Sequence, residues 1–228
     1  MTLSELLDAA TAELRAFADV LDGIEHRHLP TPCAGWTVRD LAAHVAVGAY
    51  RNAEATHRAR IGSLSPPGGL ELGDADPVTV IRQASDHMHA AFAATEHWPP
   101  IPLPFGTYPV DIALGCLIIE YGTHLADLKA AAGLADSALS EATREALFSF
   151  GERYLLLQAE PLDSDPVTLT LAAPAKTMSI TWTGDGWAEG AHSDNEHRVD
   201  GDDETIARLM LRRLPDEDSL VAAAIRPL

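Results

Sequence analysis

Three side chains of metal-ligand type lie in two segments of otherwise apolar sequence. Glu120 and His124 are four residues apart in the run 117–127, and His44 lies inside the run 41–47. Side chains four residues apart lie one above the other on an α-helix, roughly 5–6 Å apart at Cβ. A carboxylate and two imidazoles directed at one point match the His2Glu set of catalytic zinc sites, which keep one coordination position open. The spacing therefore predicts a divalent metal centre, with Zn²⁺ as the expected ion.

Each of these side chains also has an interpretation without a metal. His44 alone fits a core histidine bonded to a carbonyl or an acid, and Glu120 with His124 fits a hydrogen-bonded pair that steadies the core. Asp127 fits an acceptor for the second ring nitrogen of a metal-bound His124, or a solvated aspartate near a helix end. Cys116 lies on the same stripe as Glu120, and we favour a packed core cysteine over a metal ligand there.

Hydrophobic periodicity predicts the helices that would position these residues. Five helices are expected: residues 3–22, about 37–60, one that begins at Asp76–Pro77, about 108–132, and about 140–159. Thr37 precedes Asp40 by three residues, as in a capping box at the start of the second helix. The segment 98–106 contains four prolines and cannot be helical. Because it is too apolar for a freely solvated linker, we expect it to pack against the protein.

After residue 160 the hydrophobic period changes from helical to alternating. Residues 167–171 and 178–182 alternate as strands do, and the sequence between 183 and 187 is typical of a hairpin turn. A last helix is expected over 204–214. The sequence therefore predicts an α+β protein, with a helical domain over 1–160 and a small α+β domain over 161–228.

The composition excludes several classes of protein. Lysine and arginine number 16 against 34 acidic residues, so the net charge of −18 would repel the phosphates of nucleic acids. No segment reaches the roughly 18–20 consecutive apolar residues of a membrane span, and the first residues lack the pattern of a signal peptide. Cys33 and Cys116 are the only cysteines, so no disulfide framework is expected and a cytoplasmic location is predicted.

Two sequence motifs resemble those of a known family. The segment Thr31–His44 reads Thr-Pro-Cys-Ala-Gly-Trp-Thr-Val-Arg-Asp-Leu-Ala-Ala-His, which resembles the opening motif of the mycothiol-dependent maleylpyruvate isomerase family in the DinB-like superfamily. Glu120, His124 and the pair Asp127–Leu128 resemble the second motif. The resemblance covers the whole chain and implies a DinB-like four-helix bundle with an extra helix, followed by a sterol-carrier-protein-like α+β domain. It also implies that His44, Glu120 and His124 bind a divalent metal, usually zinc.

The same resemblance implies what the site would do. The expected cosubstrate is mycothiol or a similar low-molecular-weight thiol, which the metal would activate for isomerisation or S-transfer on a small electrophilic substrate. A non-catalytic metal-binding or ligand-binding bundle and a metal-dependent hydrolase are the alternatives. The sequence leaves the oligomeric state open.

Arg51 and Asp127 are the candidate catalytic residues besides the three ligands. Arg51 follows His44 by seven residues on the same helical face, and its guanidinium suits a substrate carboxylate, with a surface arginine as the alternative. Cys33 lies in the motif loop beside two prolines, and we interpret it as packing and not as a nucleophile.

Overall fold

The computed structural model describes residues 1–93, 98–104, 106–214 and 218–227, and its contacts group the chain into two units, Met1–Leu139 and Ser140–Leu228. The first unit is mainly helical and the second combines helices with a sheet. The predicted α+β class is therefore confirmed. No helix in the described part of the chain combines the length and the apolar character that crossing a bilayer requires.

Four helices and one hairpin form the described part of the first unit: α1 (Leu3–Asp22), α2 (Val38–Arg60), α3 (Pro77–Ala93), β1 (Ile101–Leu103), β2 (Gly106–Tyr108) and α4 (Val110–Ala131). These bounds confirm the first four predicted helices. Helix α1 packs against α3 and α4, and α2 packs mainly against α3. Phe17, Leu14 and Leu21 of α1 are fully buried between these helices, as the apolar spacing of α1 predicts.

The loop before α2 is a tight turn that ends in a capping box. The backbone N–H of Trp36 donates to the carbonyl of Cys33 across 3.0 Å, and Gly35 between them has a φ of +79°. A glycine at the third position of such a turn adopts the left-handed conformation without steric cost. Thr37 and Asp40 then exchange the two reciprocal hydrogen bonds of a capping box, as predicted.

The proline-rich segment forms the short hairpin of β1 and β2. Ile101 pairs with Tyr108 and Leu103 with Gly106 in antiparallel register. Ile101 and Leu103 are buried, and β1 packs against α2. The prediction that this apolar, non-helical segment packs against the protein is confirmed; Phe105, which belongs to the segment, lies outside the described residues.

Helix α4 is buried on almost every side. From Leu117 to Leu128 every residue except Glu120 is buried, including the polar Thr123, His124 and Asp127. A buried polar side chain needs a hydrogen-bond partner to offset its lost hydration, so the polar positions of α4 are energetically constrained.

A four-stranded sheet and four helices form the described part of the second unit: α5 (Glu141–Phe150), α6 (Glu152–Gln158), β3 (Val167–Ala172), β4 (Thr177–Trp182), β5 (Trp187–Glu189), β6 (Glu196–Asp200), α7 (Asp203–Met210) and α8 (Ser219–Ala224). The strand order is β5-β4-β3-β6, with β6 parallel to β3. The sequence predicts a domain boundary near residue 160, whereas residues 140–160 group with the second unit, because α5 packs against α7 and α6 packs against β4 and β5.

Two predicted helices of the second unit differ from the observed ones. The helix expected over 140–159 is broken at Gly151, whose φ of +49° ends α5 and precedes α6. The helix expected over 204–214 ends at Met210, and Arg212 has a φ of +58°, which a continuing helix does not allow. Strand β6 and helix α8 were not predicted, because β6 is rich in charged residues and α8 has only 6 residues.

Replacement of Gly35 by alanine is expected to lower the free energy of unfolding by about 1–2 kcal/mol, because an L-residue in the left-handed region is strained. The matched control is Gly48→Ala in α2, where an added Cβ meets no atom within 4 Å. That variant is expected to be as stable as the wild type, or more stable by up to about 1 kcal/mol. Urea unfolding measures both changes, and a Gly35→Ala variant as stable as the wild type would contradict the turn conformation.

Candidate metal centre

Helices α2 and α4 bring His44, Glu120 and His124 together. The Glu120 carboxylate oxygen Oε1 lies 2.9 Å from His44 Nε2 and 3.5 Å from His124 Nε2. The imidazole rings of His44 and His124 meet edge to face, with their centroids 5.0 Å apart. One carboxylate oxygen and two ring nitrogens therefore face one point, as the sequence pattern predicts.

The three side chains differ in their access to solvent. The side chain of His44 is 41% exposed and that of Glu120 is 30% exposed, whereas that of His124 is only 2% exposed. Burial alone would raise the pKa of Glu120, but its hydrogen bonds with His124 and His44 outweigh that effect and hold the pKa of the carboxyl well below its usual value. Glu120 is thus an ionised carboxylate that reaches both the interior and the solvent.

Asp127 fixes the orientation of the buried imidazole. Its carboxylate oxygen Oδ2 lies 3.1 Å from His124 Nδ1 and accepts the proton of that nitrogen. Burial acts to lower the pKa of His124, but the interactions with Asp127, Cys33 and Glu120 outweigh it and raise the pKa well above its usual value. The predicted contact between Asp127 and His124 is therefore present, and Asp127, at 3% exposure, is not the solvated aspartate of the alternative interpretation.

The motif loop before α2 contacts both histidines. The ring of Trp36 lies with its centroid 4.9 Å from that of His44 and 6.4 Å from that of His124. The thiol of Cys33 donates to Asp127 Oδ2 across 3.2 Å and lies 4.0 Å from His124 Nδ1. Sequence reasoning assigned Cys33 to packing alone and gave Trp36 no role; the position of both residues in the motif was the available signal.

Two groups of three metal-ligand side chains occur in the described residues, with all ligand atoms of each group within 4.8 Å of one another. One is His44, Glu120 and His124, and the other is Cys33, His124 and Asp127. The first has an exposed and a half-buried member, whereas the second is wholly buried. The two groups use different nitrogens of the shared imidazole, Nε2 in the first and Nδ1 in the second.

Arg51 and Cys116 do not join either group. Arg51 is half-buried on α2, and across the described residues its Nε is buried without a hydrogen-bond partner. Cys116 is half-buried on α4, where burial and then the charge of Glu120 raise the pKa of its thiol to about 11. The structure thus leaves Cys116 outside the ligand groups, as the sequence interpretation favoured.

A cleft of about 590 Å³ lies elsewhere in the first unit, along α2, α3 and the segment between them. Tyr50, His57 and His87 are among its lining residues, and His44, Glu120 and His124 are not. The chemistry of the donor set, not the size of this cleft, therefore identifies the candidate site.

Comparisons with known proteins show which family the first unit matches. Residues 7–129 match the family described as the mycothiol maleylpyruvate isomerase N-terminal domain. Two uncharacterized proteins of Mycobacterium tuberculosis, from strains CDC 1551 and H37Rv, are each 32% identical to this chain over 121 residues. The aligned part is 52% of this chain and spans 62% of each relative's own length.

Two solved structures share the fold of nearly the whole chain. They are crystal structures of the mycothiol-dependent maleylpyruvate isomerase and of a histidine-to-alanine mutant of it. Each is 19% identical to this chain, with a TM-score of 0.64, and the match covers 95% of this chain and 92% of the other. At this level of identity the likeness establishes the fold.

The raised pKa of the Cys116 thiol can be tested by measuring how fast the thiol is alkylated. At pH 8, a thiol with a pKa of about 11 is almost entirely protonated, and only the thiolate is alkylated. We expect iodoacetamide to modify Cys116 at least about tenfold more slowly in the native protein than in the urea-unfolded protein, because the thiol pKa returns to its usual value on unfolding. Peptide mass spectrometry measures both rates, and both of the chain's 2 cysteines should react after unfolding without reduction. Equal rates in the two states would contradict the buried environment.

Proposed function

Since this chain belongs to the mycothiol maleylpyruvate isomerase N-terminal domain family, we propose that it is a metal-dependent enzyme that uses mycothiol or a similar low-molecular-weight thiol. Its reaction is the isomerisation of a small electrophilic substrate, or S-transfer to such a substrate. The observation that carries the proposal is the meeting of His44, Glu120 and His124 at one point reached from solvent.

The donor set fits a divalent first-row metal. Two imidazole nitrogens and a carboxylate oxygen are borderline to hard ligands that suit zinc, and three protein ligands are the number found in catalytic zinc sites. The 41% exposure of the His44 side chain supports access for a metal and a substrate. A divalent metal held there would supply a Lewis acid that stabilises a thiolate and polarises a carbonyl.

The chain's residues orient this centre and keep one side of it dry. Asp127 accepts the Nδ1 proton of His124, which leaves the lone pair of Nε2 available toward Glu120 when that nitrogen is not protonated. The indole ring of Trp36 packs beside both imidazoles and restricts their rotation. Glu120 brings a negative charge, so this ligand set would reduce the net charge of a bound divalent ion to +1.

The attacking sulfur comes from the thiol cosubstrate. The pKa of Cys116, raised to about 11, leaves little thiolate at neutral pH, and Cys33 is buried with its thiol proton directed at Asp127. In isomerisation, the external thiolate adds to one carbon of a conjugated C=C bond, and the π electrons move to the conjugated carbonyl as an enolate. The former double bond, now a C–C single bond, rotates, and the enolate electrons then re-form the double bond and expel the thiolate. In S-transfer, the thiolate displaces a leaving group from an electrophilic carbon, and the sulfur stays on the product.

Arg51 is the proposed recognition residue for an anionic substrate group. It lies two helical turns after His44 on α2, and its buried Nε has no hydrogen-bond partner within the described ranges. An unpartnered guanidinium donor on the helix face that carries a metal ligand suits a carboxylate, which accepts from two guanidinium nitrogens at once.

Alanine replacement of His44, Glu120 or His124 is expected to abolish stoichiometric metal binding, because each removes one of three ligands. Elemental analysis of the purified proteins after dialysis against zinc measures their zinc content, and we expect one equivalent in the wild type. His57→Ala is the matched control, since His57 is an exposed histidine on the same helix. Equal metal content in all five proteins would contradict the ligand assignment.

Product formation is expected to require both the metal and the thiol. Zinc-loaded protein is incubated with mycothiol and either maleylpyruvate, for isomerisation, or an electrophile with a leaving group, for S-transfer. Turnover without thiol would indicate a metal-dependent hydrolase instead. Absence of turnover in every assay with metal bound would indicate a non-catalytic binding protein.

Replacement of Arg51 by methionine is expected to weaken the binding of maleate, used as a simple dicarboxylate probe, by about tenfold, which equals about 1.4 kcal/mol. Calorimetric titration of the zinc-loaded protein measures the affinity. Arg60→Met is the control, because Arg60 is an exposed arginine near the end of the same helix. Equal affinity for maleate in wild type and Arg51→Met would remove Arg51 from substrate recognition.

A further inference from the structure

We propose that Cys33 is a positioning residue for the metal centre, which acts by donating its thiol proton to the carboxylate that orients His124. This inference rests on the proposed function for its link to metal binding. It assigns to the cysteine of the motif loop a role that packing alone does not describe.

A chain of two hydrogen bonds connects the thiol to the metal-facing imidazole. Cys33 Sγ donates to Asp127 Oδ2 across 3.2 Å, and the same oxygen accepts from His124 Nδ1 across 3.1 Å. All three residues are buried, at 8%, 3% and 2% exposure respectively. Because water has little access to the Asp127 carboxylate, the hydrogen bonds that it accepts from protein groups determine the position of its oxygen Oδ2. The oxygen in turn determines the rotation of the His124 ring.

The backbone of the motif loop holds the thiol in place. The carbonyl of Cys33 accepts the Trp36 N–H across 3.0 Å, and the Thr31 N–H donates to the Trp36 carbonyl across 2.9 Å. The same loop carries the ring of Trp36 against His44 and His124. Cys33 and Trp36 thus belong to one hydrogen-bonded turn, from which the thiol acts on His124 through Asp127 and the indole contacts both imidazoles.

A metal ligand is the competing role for Cys33, since its ligand atom lies within 4.8 Å of those of His124 and Asp127. Two observations favour positioning. The three side chains are mutually hydrogen-bonded and buried, so a metal would have to break both bonds in a closed interior. The other ring nitrogen of His124, Nε2, faces Glu120 and His44. Solvent reaches these two side chains, whereas Cys33, His124 and Asp127 are buried.

Alanine and serine at position 33 separate these roles. Serine keeps a proton donor and alanine does not, whereas neither replaces a thiolate as a metal ligand. We expect Cys33→Ala to weaken zinc binding by about 10–100-fold, as is typical when a residue that orients a ligand is lost. We expect Cys33→Ser to bind zinc within about threefold of the wild type, because its hydroxyl donates to the same carboxylate.

Competition with a chelator of known zinc affinity measures these dissociation constants in the full chain. Cys116→Ala is the matched control and should bind zinc as the wild type does. Equal affinity in Cys33→Ala and wild type would overturn the proposal. Equal losses in Cys33→Ala and Cys33→Ser would also overturn it, in favour of a thiolate ligand. If Cys116→Ala lost as much zinc affinity as Cys33→Ala, the cause would be a general loosening of the bundle, and this result would overturn the proposal as well.

A second measurement tests the positioning without metal. In nitrogen-15 NMR spectra of the metal-free protein, the Nδ1–H signal of His124, assigned by its absence in His124→Gln, should exchange slowly in the wild type and in Cys33→Ser. It should broaden or vanish in Cys33→Ala and persist in Cys116→Ala. If the wild type bound no zinc, the proposed function would fail while this signal still decided the role of Cys33. An unchanged signal in Cys33→Ala would overturn the proposal.

Discussion

His124 is almost fully withdrawn from solvent in the middle of α4, and an imidazole in that position needs a partner for each ring nitrogen. Asp127, one helical turn later, accepts from Nδ1 and thereby directs Nε2 to the opposite side, toward Glu120. The spacing of three and four residues that places both acids beside one histidine is a property of the helix itself. The orientation of the whole candidate centre follows from this buried pair.

Helix α2 and the turn before it supply the remaining side chains of the candidate metal centre. Helix α2 supplies His44 as the exposed ligand candidate, and the turn before it supplies an indole ring beside both imidazoles. The capping box of Thr37 and Asp40 fixes where that turn ends and the helix starts. A centre that is buried at His124 and open to solvent at His44 suits a metal whose open coordination position would bind small molecules.

Local sequence rules predicted the first four helices and the placement of Glu120 beside His124, because each depends on spacing within one helix. The meeting of His44 with that pair joins residues 76 apart on two helices, so spacing alone could only make His44 a candidate. They could not predict the contact of Cys33 with Asp127, which joins residues 94 apart through the path of a loop. The break at Gly151 was missed because a glycine inside an apolar period is compatible with a continuous helix. Strand β6 was missed because its pairing with β3, and not an apolar alternation of its own, makes it a strand.

We propose that His44 and His124, together with Glu120, hold one divalent ion through Nε2 of each imidazole. The most direct measurement is histidine-selective nitrogen-15 NMR of the metal-free protein during titration with one equivalent of Zn²⁺. Of the chain's 10 histidines, we expect His44 and His124 to shift their Nε2 signals at one equivalent of Zn²⁺, while Nδ1 of His124 stays protonated. Shifts confined to other histidines, or loss of the His124 Nδ1 proton on metal binding, would contradict it.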